Sequence, residues 1–539
     1  MTLGAAAAIA AATAMLPVPA VASPPTGPVV AVVLPPAPFE QVMSAPVTGT
    51  VARGGGVGLL TAPGADDPVQ AAAKALGEAG VALRPVDDPS VVGAELRGSE
   101  APLLVLLVVP APGRLGRDAA TLVLARGPAA RLLQGFDEPR GLASATTRRA
   151  GLVSTVDLAP TVRAFLGRSA VAGEPGAVIR IEGRAPVDLV ERYETVQPLR
   201  LPVGLAVLGV ALAALVAGIV LLLRPGGGRG LFRLAGMIGL FAVALPVSLL
   251  PAVMVRRPSV ASVVTIAVLG AAIVAAGARW LGGAEPAAVV AVVAGAGMAV
   301  VLLDGLLGWP GMLMPLLGGN SFEGSRFYGL GNGYGGVFLA GAVLAASRLR
   351  PWAGLALLLA AGVLAGLPGF GSNFGTSLTL FAAAGLWLAI RVRGRGAWPG
   401  LAGAAAAIGG VGAVVVAHRV TGAPTHVTDV LVGAERSGIG ELLSVYLRRL
   451  NLNLRSTAAS PAAWLMVVAL PVGTIMAWKR ARPFGDGLRH DPAWRDAAVV
   501  LGVTSIVAFL VNDTFGVAGM GFVYLSAALV YPALAMRWR

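Results

Sequence analysis

Hydrophobic and polar positions follow two different patterns along this chain, and the change comes near residue 199. Beyond that point, long apolar segments alternate with short polar or basic loops. Each segment has about the length that an α-helix needs to cross a bilayer. The pattern therefore predicts a bundle of about eleven membrane helices, near residues 201–223, 234–254, 259–278, 286–307, 331–347, 352–367, 374–390, 399–417, 461–478, 497–512 and 518–536.

Before residue 199 the apolar runs are short and rich in β-branched residues, which is typical of buried strands. Helical patterns at 68–77 and 157–166 lie among them, and Asp157 precedes Pro160 as a predicted N-cap residue. Alternating strands and helices predict a small α/β domain with a mostly parallel, covered sheet. The predicted strands are 29–34, 56–60, 103–109 and 121–124.

The first 22 residues form an alanine-rich apolar run that ends in Ala20-Val21-Ala22, a small-residue cleavage pattern. A basic region at the start is missing, so a retained N-terminal anchor is the alternative to a signal peptide. A proline-rich spacer follows. The predicted organisation is a signal peptide or anchor at 1–22, an α/β domain at 23–199 and a transmembrane domain at 200–539.

Composition supports an integral membrane protein. Hydrophobic residues make up 56% of the chain and charged residues 13%, against roughly 25% charged residues in soluble domains. The net charge of +14 comes from arginines at the ends of apolar runs, as membrane topology requires, so we expect no nucleic-acid partner. With no cysteine and only three histidines, we predict no metal centre and no cofactor.

Counting basic residues in the loops orients the chain. With the α/β domain outside, roughly sixteen arginines and lysines fall on the inner side and roughly eight on the outer side, as the positive-inside rule requires. Four polar clusters then lie on the outer side together with the domain, namely 321–332, 371–373, 451–455 and 512–514.

Particular stretches resemble a known group of proteins. Residues 144–161, SATTRRAGLVSTVDLAPT, resemble the closing segment of alkaline-phosphatase-like domains. The stretches RFYGLGN (326–332), GSNFG (371–375), NLNLR (451–455) and VNDTFGVAG (511–519) resemble uncharacterised bacterial polytopic membrane proteins that carry such a domain. The resemblance implies a bacterial cytoplasmic (inner) membrane protein with an extracytoplasmic N-terminal domain.

The domain departs from the pattern of active phosphatases. Such domains have a metal-binding aspartate after the first strand, where this chain has Leu34-Pro35-Pro36, and the region up to residue 199 contains no histidine. We therefore interpret it as a degenerate domain with a binding or scaffolding role.

The richest polar stretch is SFEGSRFYGLGNGYGG at 321–336. Arg326 can grip a phosphate or carboxylate bidentately, Tyr328 and Asn332 can add hydrogen bonds, and the glycines permit close backbone approach. The stretch predicts an anion or sugar-phosphate site. Alternatively, Arg326 pairs with Glu323 or Asp304 and only stabilises a re-entrant loop.

Other candidates lie at predicted helix ends. Asp304 and Asp513 are acids near membrane depth, where acids are usually functional. We predict them as catalytic bases or cation ligands; structural pairing with Arg326 or Arg455 is the alternative.

Residues 441–455 have the pattern of an amphipathic helix on the membrane surface. The further predicted ligand-binding residues are Glu323, Ser372, Asn373, Arg448, Asn451, Arg455 and Asn512.

These features favour a cell-envelope protein that binds or handles a phosphate-bearing lipid or glycan precursor at the outer face, with membrane lipids as partners. A membrane glycosyltransferase or polysaccharide ligase is the enzyme alternative, because outward-facing acids and arginines with a long outer loop suit such chemistry. A secondary transporter and a non-catalytic scaffold are the remaining alternatives.

Overall fold

The computed structural model describes most of the chain between residues 29 and 538. The predicted signal peptide or anchor at 1–22 lies outside the described residues. The described ranges are 29–45, 48, 51–53, 55–62, 67–87, 92, 103–111, 119–127, 140–169, 171, 176–185, 187–224, 228–255, 258–322, 327–391, 398–421, 439–480 and 490–538.

The N-terminal part is an α/β domain built on an eight-stranded sheet. The strands are β1 Val29–Val33, β2 Gly56–Thr61, β3 Arg84–Pro85, β4 Leu103–Pro110, β5 Ala119–Gly127, β6 Arg140–Ala143, β7 Leu152–Ser154 and β8 Arg180–Arg184, and the helices are α1 Phe39–Ser44, α2 Pro68–Glu78 and α3 Leu158–Phe165. In order along the sheet the strands are β3, β1, β4, β5, β2, β6 and β8, with β7 also paired to β2.

The sheet is mixed, which corrects the prediction of a mostly parallel sheet. Strand β5 runs antiparallel to both β4 and β2, and β8 runs antiparallel to β6. Residues 111–118, between β4 and β5, are fewer than the dozen or so that a parallel crossover needs. The sheet is covered on both faces, as predicted, because alternate residues of β4 enter two different cores: Leu104 and Leu106 pack with α2 and α3, while Val105 and Leu107 join the core that continues into the membrane half.

The membrane half has a helix at each of the eleven predicted positions. Among the described residues, eight helices are long and apolar enough to span a membrane, while Asn332–Ala346, Pro351–Gly366 and Ile408–Ala417 are shorter apolar helices. The helices are α4 Val187–Leu223, α5 Arg229–Ala252, α6 Val260–Gly282, α7 Pro286–Leu306, α8 Asn332–Ala346, α9 Pro351–Gly366, α10 Phe374–Arg391, α11 Trp398–Thr421, α12 Ile439–Ala458, α13 Pro461–Lys479, α14 Pro492–Val511 and α15 Gly516–Trp538.

Glycines allow the helices around α8 to pack closely. A Cβ on Gly336 would lie 2.6 Å from both Met520 Cβ and Val517 O of α15, and one on Gly341 would lie 2.5 Å from Ala294 O of α7. Contacts between small residues of this kind are how apolar helices associate where hydrophobic burial gives little driving force.

Helix α4 connects the two parts. It begins at Val187 and ends at Leu223, so it runs through the predicted domain boundary at 199/200. The α/β domain contacts the loop 307–331, which joins α7 to α8, and the turn 367–373, which joins α9 to α10. We call this side the domain-facing end of the bundle.

Candidate functional site

The loop 307–331 lies at the domain-facing end and is anchored by Asp304. Residues 307–322 and 327–331 of this loop are described. The buried carboxylate of Asp304 accepts the backbone N–H of Gly311 at 2.6 Å and of Met312 at 3.1 Å. Both carboxylate oxygens are therefore engaged in folding the loop back onto the end of α7.

The α/β domain holds the same loop through Arg149. Its Nε donates to Phe327 O at 3.0 Å, and its two Nη atoms donate to Gly308 O and Trp309 O, each at 2.9 Å. Burial lowers the pKa of Arg149 to about 10, so the guanidinium stays charged at neutral pH. Hydrogen bonds from a charged donor are stronger than neutral ones.

Helix α4 adds two further arginines to this loop. Arg192 Nη2 donates to Val253 O at 2.6 Å and to Pro310 O at 2.9 Å. Arg200 donates to Pro315 O and Gly318 O. Six carbonyls of the loop, between Gly308 and Phe327, thus accept hydrogen bonds from arginines of the domain and of α4, a role that the arginine side chain's several donors allow.

Arg148 holds the second segment, the turn 367–373. It donates to Pro368 O and lies over the Tyr328 ring, 4.2 Å from the centroid. Ser372 Oγ donates to the same Pro368 O at 2.8 Å. Two of the predicted ligand-binding residues, Tyr328 and Ser372, therefore have partners within the contact between the domain and the bundle.

Backbone strain is concentrated at this contact. Among the described residues, the non-glycine residues with positive φ are Arg148 (52°), Trp309 (64°) and Ser372 (47°). Each belongs to the interactions of Arg148 and Arg149 just described. Such conformations cost free energy and persist where the surrounding contacts enforce them, most often near functional sites.

Asp157 supports the segment that presents the two arginines. Its Oδ2 accepts from Ser144 Oγ at 2.7 Å and Ser154 N at 2.9 Å, and its Oδ1 accepts from Thr146 Oγ1 and from Ala177 N at 2.9 Å. Burial raises the pKa of Asp157, and the hydrogen bonds act against that rise. Asp157 is the N-cap residue of α3, as predicted, but its side chain makes no capping hydrogen bond there. The carboxylate instead reaches back to Ser154 and across to Ser144 and Thr146.

A second group of polar side chains lies beside these loops. Asn332 Nδ2 donates to Asp513 Oδ1 at 2.7 Å and to Thr514 Oγ1 at 2.8 Å, and Asn373 Nδ2 donates to Asn332 Oδ1 at 3.0 Å. Asn512 lies against the start of α10, which Asn373 immediately precedes, because a Cβ on Gly375 would lie 2.2 Å from Asn512 Oδ1. We call Asn332, Asn373, Asn512, Asp513 and Thr514 the polar centre. Three of the four predicted clusters therefore meet.

Three helices begin at the polar centre. Helix α8 begins at Asn332, α10 begins at Phe374 with Thr376 N donating to Asn373 Oδ1 at 3.0 Å, and α15 begins at Gly516. A Cβ on Gly516 would lie 3.1 Å from Gly333 N, so two of the N-termini touch. Free N–H groups and the helix dipole make such ends favourable for anions. The buried Thr376 Oγ1 has no hydrogen-bond partner among the described residues.

The fourth cluster contributes a residue that the sequence analysis missed. Buried Asn453 donates from Nδ2 to Phe509 O at 2.6 Å and to Asn512 O at 3.3 Å, which joins α12 to the polar centre. The predicted Arg448, Asn451 and Arg455 are exposed. Asn453 and Thr457 are one turn apart and both buried. Their i, i+4 spacing was the only feature of the sequence that indicated a polar side of α12 facing the bundle.

The two predicted catalytic acids differ in environment. Asp304 is buried with both oxygens occupied, whereas Asp513 is exposed and accepts from Asn332. Glu323 and Arg326 lie outside the described residues, so their predicted roles stay predictions. In the described part of the chain, no group of three His, Cys, Asp or Glu side chains could hold a metal ion.

Gly329 brings the loop 307–331 and the turn 367–373 together, and Gly329→Ala is expected to be destabilising. Its φ is 81°, and a Cβ would lie 2.3 Å from Gly371 O, so alanine adds left-handed strain and a backbone clash. We expect a loss of about 2–4 kcal/mol, measured as a lower thermal midpoint in detergent. Gly283→Ala is the matched control, because Gly283 also has positive φ but nothing lies within 4 Å of its Cβ position. Equal losses in the two variants would contradict the close contact at Gly329.

Comparison with protein-family models, with curated proteins and with solved structures finds no match to this chain. The resemblance of residues 144–161 to alkaline-phosphatase-like domains therefore stays a prediction, and function has to be argued from the site itself.

Proposed function

We propose that this protein binds a phosphate-bearing lipid or glycan precursor at the outer face of a bacterial cytoplasmic membrane, with the polar centre as the binding site. The observation that carries the proposal is the meeting of three helix N-termini at one place, beside the amides of Asn332 and Asn373. The apolar helices support the membrane location.

The charge distribution at the polar centre favours a phosphate. A helix N-terminus carries a partial positive charge of roughly half a proton, and its N–H groups can bind phosphate oxygens directly. Asn332 can turn the N–H groups that it now gives to Asp513 and Thr514 towards a phosphate. Asn373 holds Asn332 in place through Asn332 Oδ1. A phosphate can therefore bind at the polar centre without a lysine. It would accept the hydrogen bond that Asn332 Nδ2 now donates to Asp513.

Asp513 makes the second candidate, a glycosyltransferase or polysaccharide ligase, worth testing. It is an exposed carboxylate at the polar centre, where it could accept the proton of an acceptor hydroxyl as that oxygen attacks the sugar carbon and the lipid phosphate leaves. Asp304 does not suit this role because both its oxygens accept backbone N–H groups.

Asp513→Asn separates the two candidates. If the polar centre only binds phosphate, removing the negative charge is expected to tighten binding of polyprenyl phosphate in nanodiscs by about fivefold to tenfold, since one charge at contact distance is worth about 1 kcal/mol or more. If Asp513 is the base, binding is kept or tightened, but transfer from a lipid-linked oligosaccharide to an acceptor glycan is lost.

The controls decide whether phosphate is recognised at all. Polyprenol, the same lipid without phosphate, is expected to bind much more weakly than polyprenyl phosphate, and Asn332→Ala with Asn373→Ala is expected to remove the difference. Glu182→Gln, the same charge change on the exposed edge of the α/β domain, should have no effect. Equal binding of polyprenol and polyprenyl phosphate by the unaltered protein would contradict the proposal and leave a scaffold role.

A further inference from the structure

Helix α12 presents an apolar face away from the bundle core. Leu443, Leu447 and Leu454 are 55%, 53% and 50% exposed. At 100° per residue the three leucines lie within about 40° of one another. We call them the leucine face.

A cationic edge lies next to the leucine face. Arg448, Asn451 and Arg455 are all exposed, and they lie within about 60° of one another around the helix. Asn453 is on the opposite side, about 170° from the centre of this edge. The leucine face therefore lies between the side of α12 that contacts the bundle and the side that carries the arginines.

The contacts of Asn453 determine where α12 lies relative to the ends of the membrane spans. Its amide binds Phe509 O and Asn512 O, at the domain-facing end of α14, which is a candidate membrane span. Among the described side chains of α12, only Asn453 and Thr457 are buried. The helix thus lies on the rim of the bundle, at the level where the spans end.

We propose that α12 lies in the plane of the membrane surface and binds anionic phospholipid of the surrounding bilayer. The leucine face enters the acyl-chain boundary, and Arg448 and Arg455 contact head-group phosphates. Amphipathic helices with this division of side chains bind interfaces in this way, and positive charge near the surface selects anionic lipid. The inference is independent of the ligand proposed for the polar centre.

The chain has no cysteine, so single labels can be placed without background. In Leu447→Cys, an environment-sensitive fluorophore is expected to show an apolar environment and quenching by nitroxide-labelled lipids. In Leu452→Cys the same fluorophore should show a water-exposed environment. Leu452 is 52% exposed and lies about 140° away from Leu447 around the helix. A water-like signal at both positions would overturn the proposal, and so would an apolar signal at residue 447 without lipid quenching, which would mean that protein covers the leucines.

The arginines are tested separately. In bilayers of phosphatidylcholine mixed with phosphatidylglycerol, the double variant Arg448→Gln, Arg455→Gln is expected to weaken the preference for phosphatidylglycerol about 25-fold, since each basic residue near an anionic surface contributes roughly fivefold. The preference is read as retained lipid by native mass spectrometry. Arg180→Gln, on the exposed edge of the α/β domain, is the control. An unchanged preference in the double variant would overturn the assignment of anionic lipid.

Discussion

Replacing Arg149 by glutamine is expected to release the loop 307–331 and to raise amide hydrogen exchange there on the order of a hundredfold. Arg149 donates to three carbonyls of this loop, and glutamine can reach one of them at most. Hydrogen bonds to a charged group contribute about 1.5–3 kcal/mol each and are not additive, so we expect a loss of about 3 kcal/mol in the free energy of opening. Exchange of peptides from residues 307–322 and 327–331, in detergent or nanodiscs, measures it.

Two further variants control the Arg149 experiment. Arg149→Lys keeps the positive charge but loses the several donors of the planar guanidinium. Amide hydrogen exchange of the loop 307–331 in this variant should lie between that of the unaltered protein and that of the glutamine variant. Arg180→Gln, whose side chain is 64% exposed, should change nothing in this loop. Unchanged exchange at 307–322 in Arg149→Gln would show that the other contacts hold the loop without the domain.

Replacing Asp157 by asparagine is expected to destabilise the α/β domain by about 2–4 kcal/mol. Each carboxylate oxygen accepts one backbone N–H, from Ser154 and from Ala177. Whichever way the asparagine is turned, its NH2 group faces one of these donors and leaves it without an acceptor, which costs a large part of the lost hydrogen bond's free energy. The decrease in the domain's unfolding free energy is measured by thermal or denaturant unfolding.

The effect of Asp157→Asn should reach the bundle as well. Asp157 fixes Ser144 and Thr146, which precede Arg148 and Arg149, so exchange at 307–322 is expected to rise together with unfolding of the domain. Asp67→Asn is the matched control: Asp67 accepts Val69 N and Gln70 N at an exposed helix start, and asparagine caps helices nearly as well. A similar loss in both variants would argue against the special role of Asp157.

Residues 157–161, the DLAPT part of the stretch that resembles alkaline-phosphatase-like domains, have a structural use. In this chain they support Arg148, whose backbone is strained, and Arg149, which together dock the domain onto the bundle. That arrangement is compatible with the binding or scaffolding role predicted for the domain, and it places the domain directly over the loop that leads to Asn332.

Secondary structure was the most predictable feature. The predicted strands at 29–34, 56–60, 103–109 and 121–124 correspond to β1, β2, β4 and β5, and each apolar segment after residue 199 corresponds to a helix. Continuous apolar runs predicted strands buried on both faces. Strand direction was less predictable, although the short connection at 111–118 already excluded a parallel crossover.

The site was predictable only in part. Asn332, Asn373 and Asp513 stood out because polar residues at the ends of apolar segments are conspicuous. Asn453 did not, because its neighbours Asn451 and Arg455 are just as polar and only the packing of α12 decides which side faces the bundle. Arg149 and Arg192 were missed because their partners are backbone carbonyls distant in the chain, and carbonyls leave no pattern in a sequence.

By itself, the sequence determined the apolar segments, their ends and the polar residues placed at those ends, because the transfer of a segment from water to lipid depends on its own composition. Only the tertiary structure decided that the ends of α8, α10 and α15 meet, that Arg148 and Arg149 hold the loops beside them, and that α12 turns its leucines outward. These outcomes depend on close glycine contacts and hydrogen bonds between residues far apart in the chain, such as Gly336 with Met520 and Asn332 with Asp513. Such contacts form only when whole helices pack together.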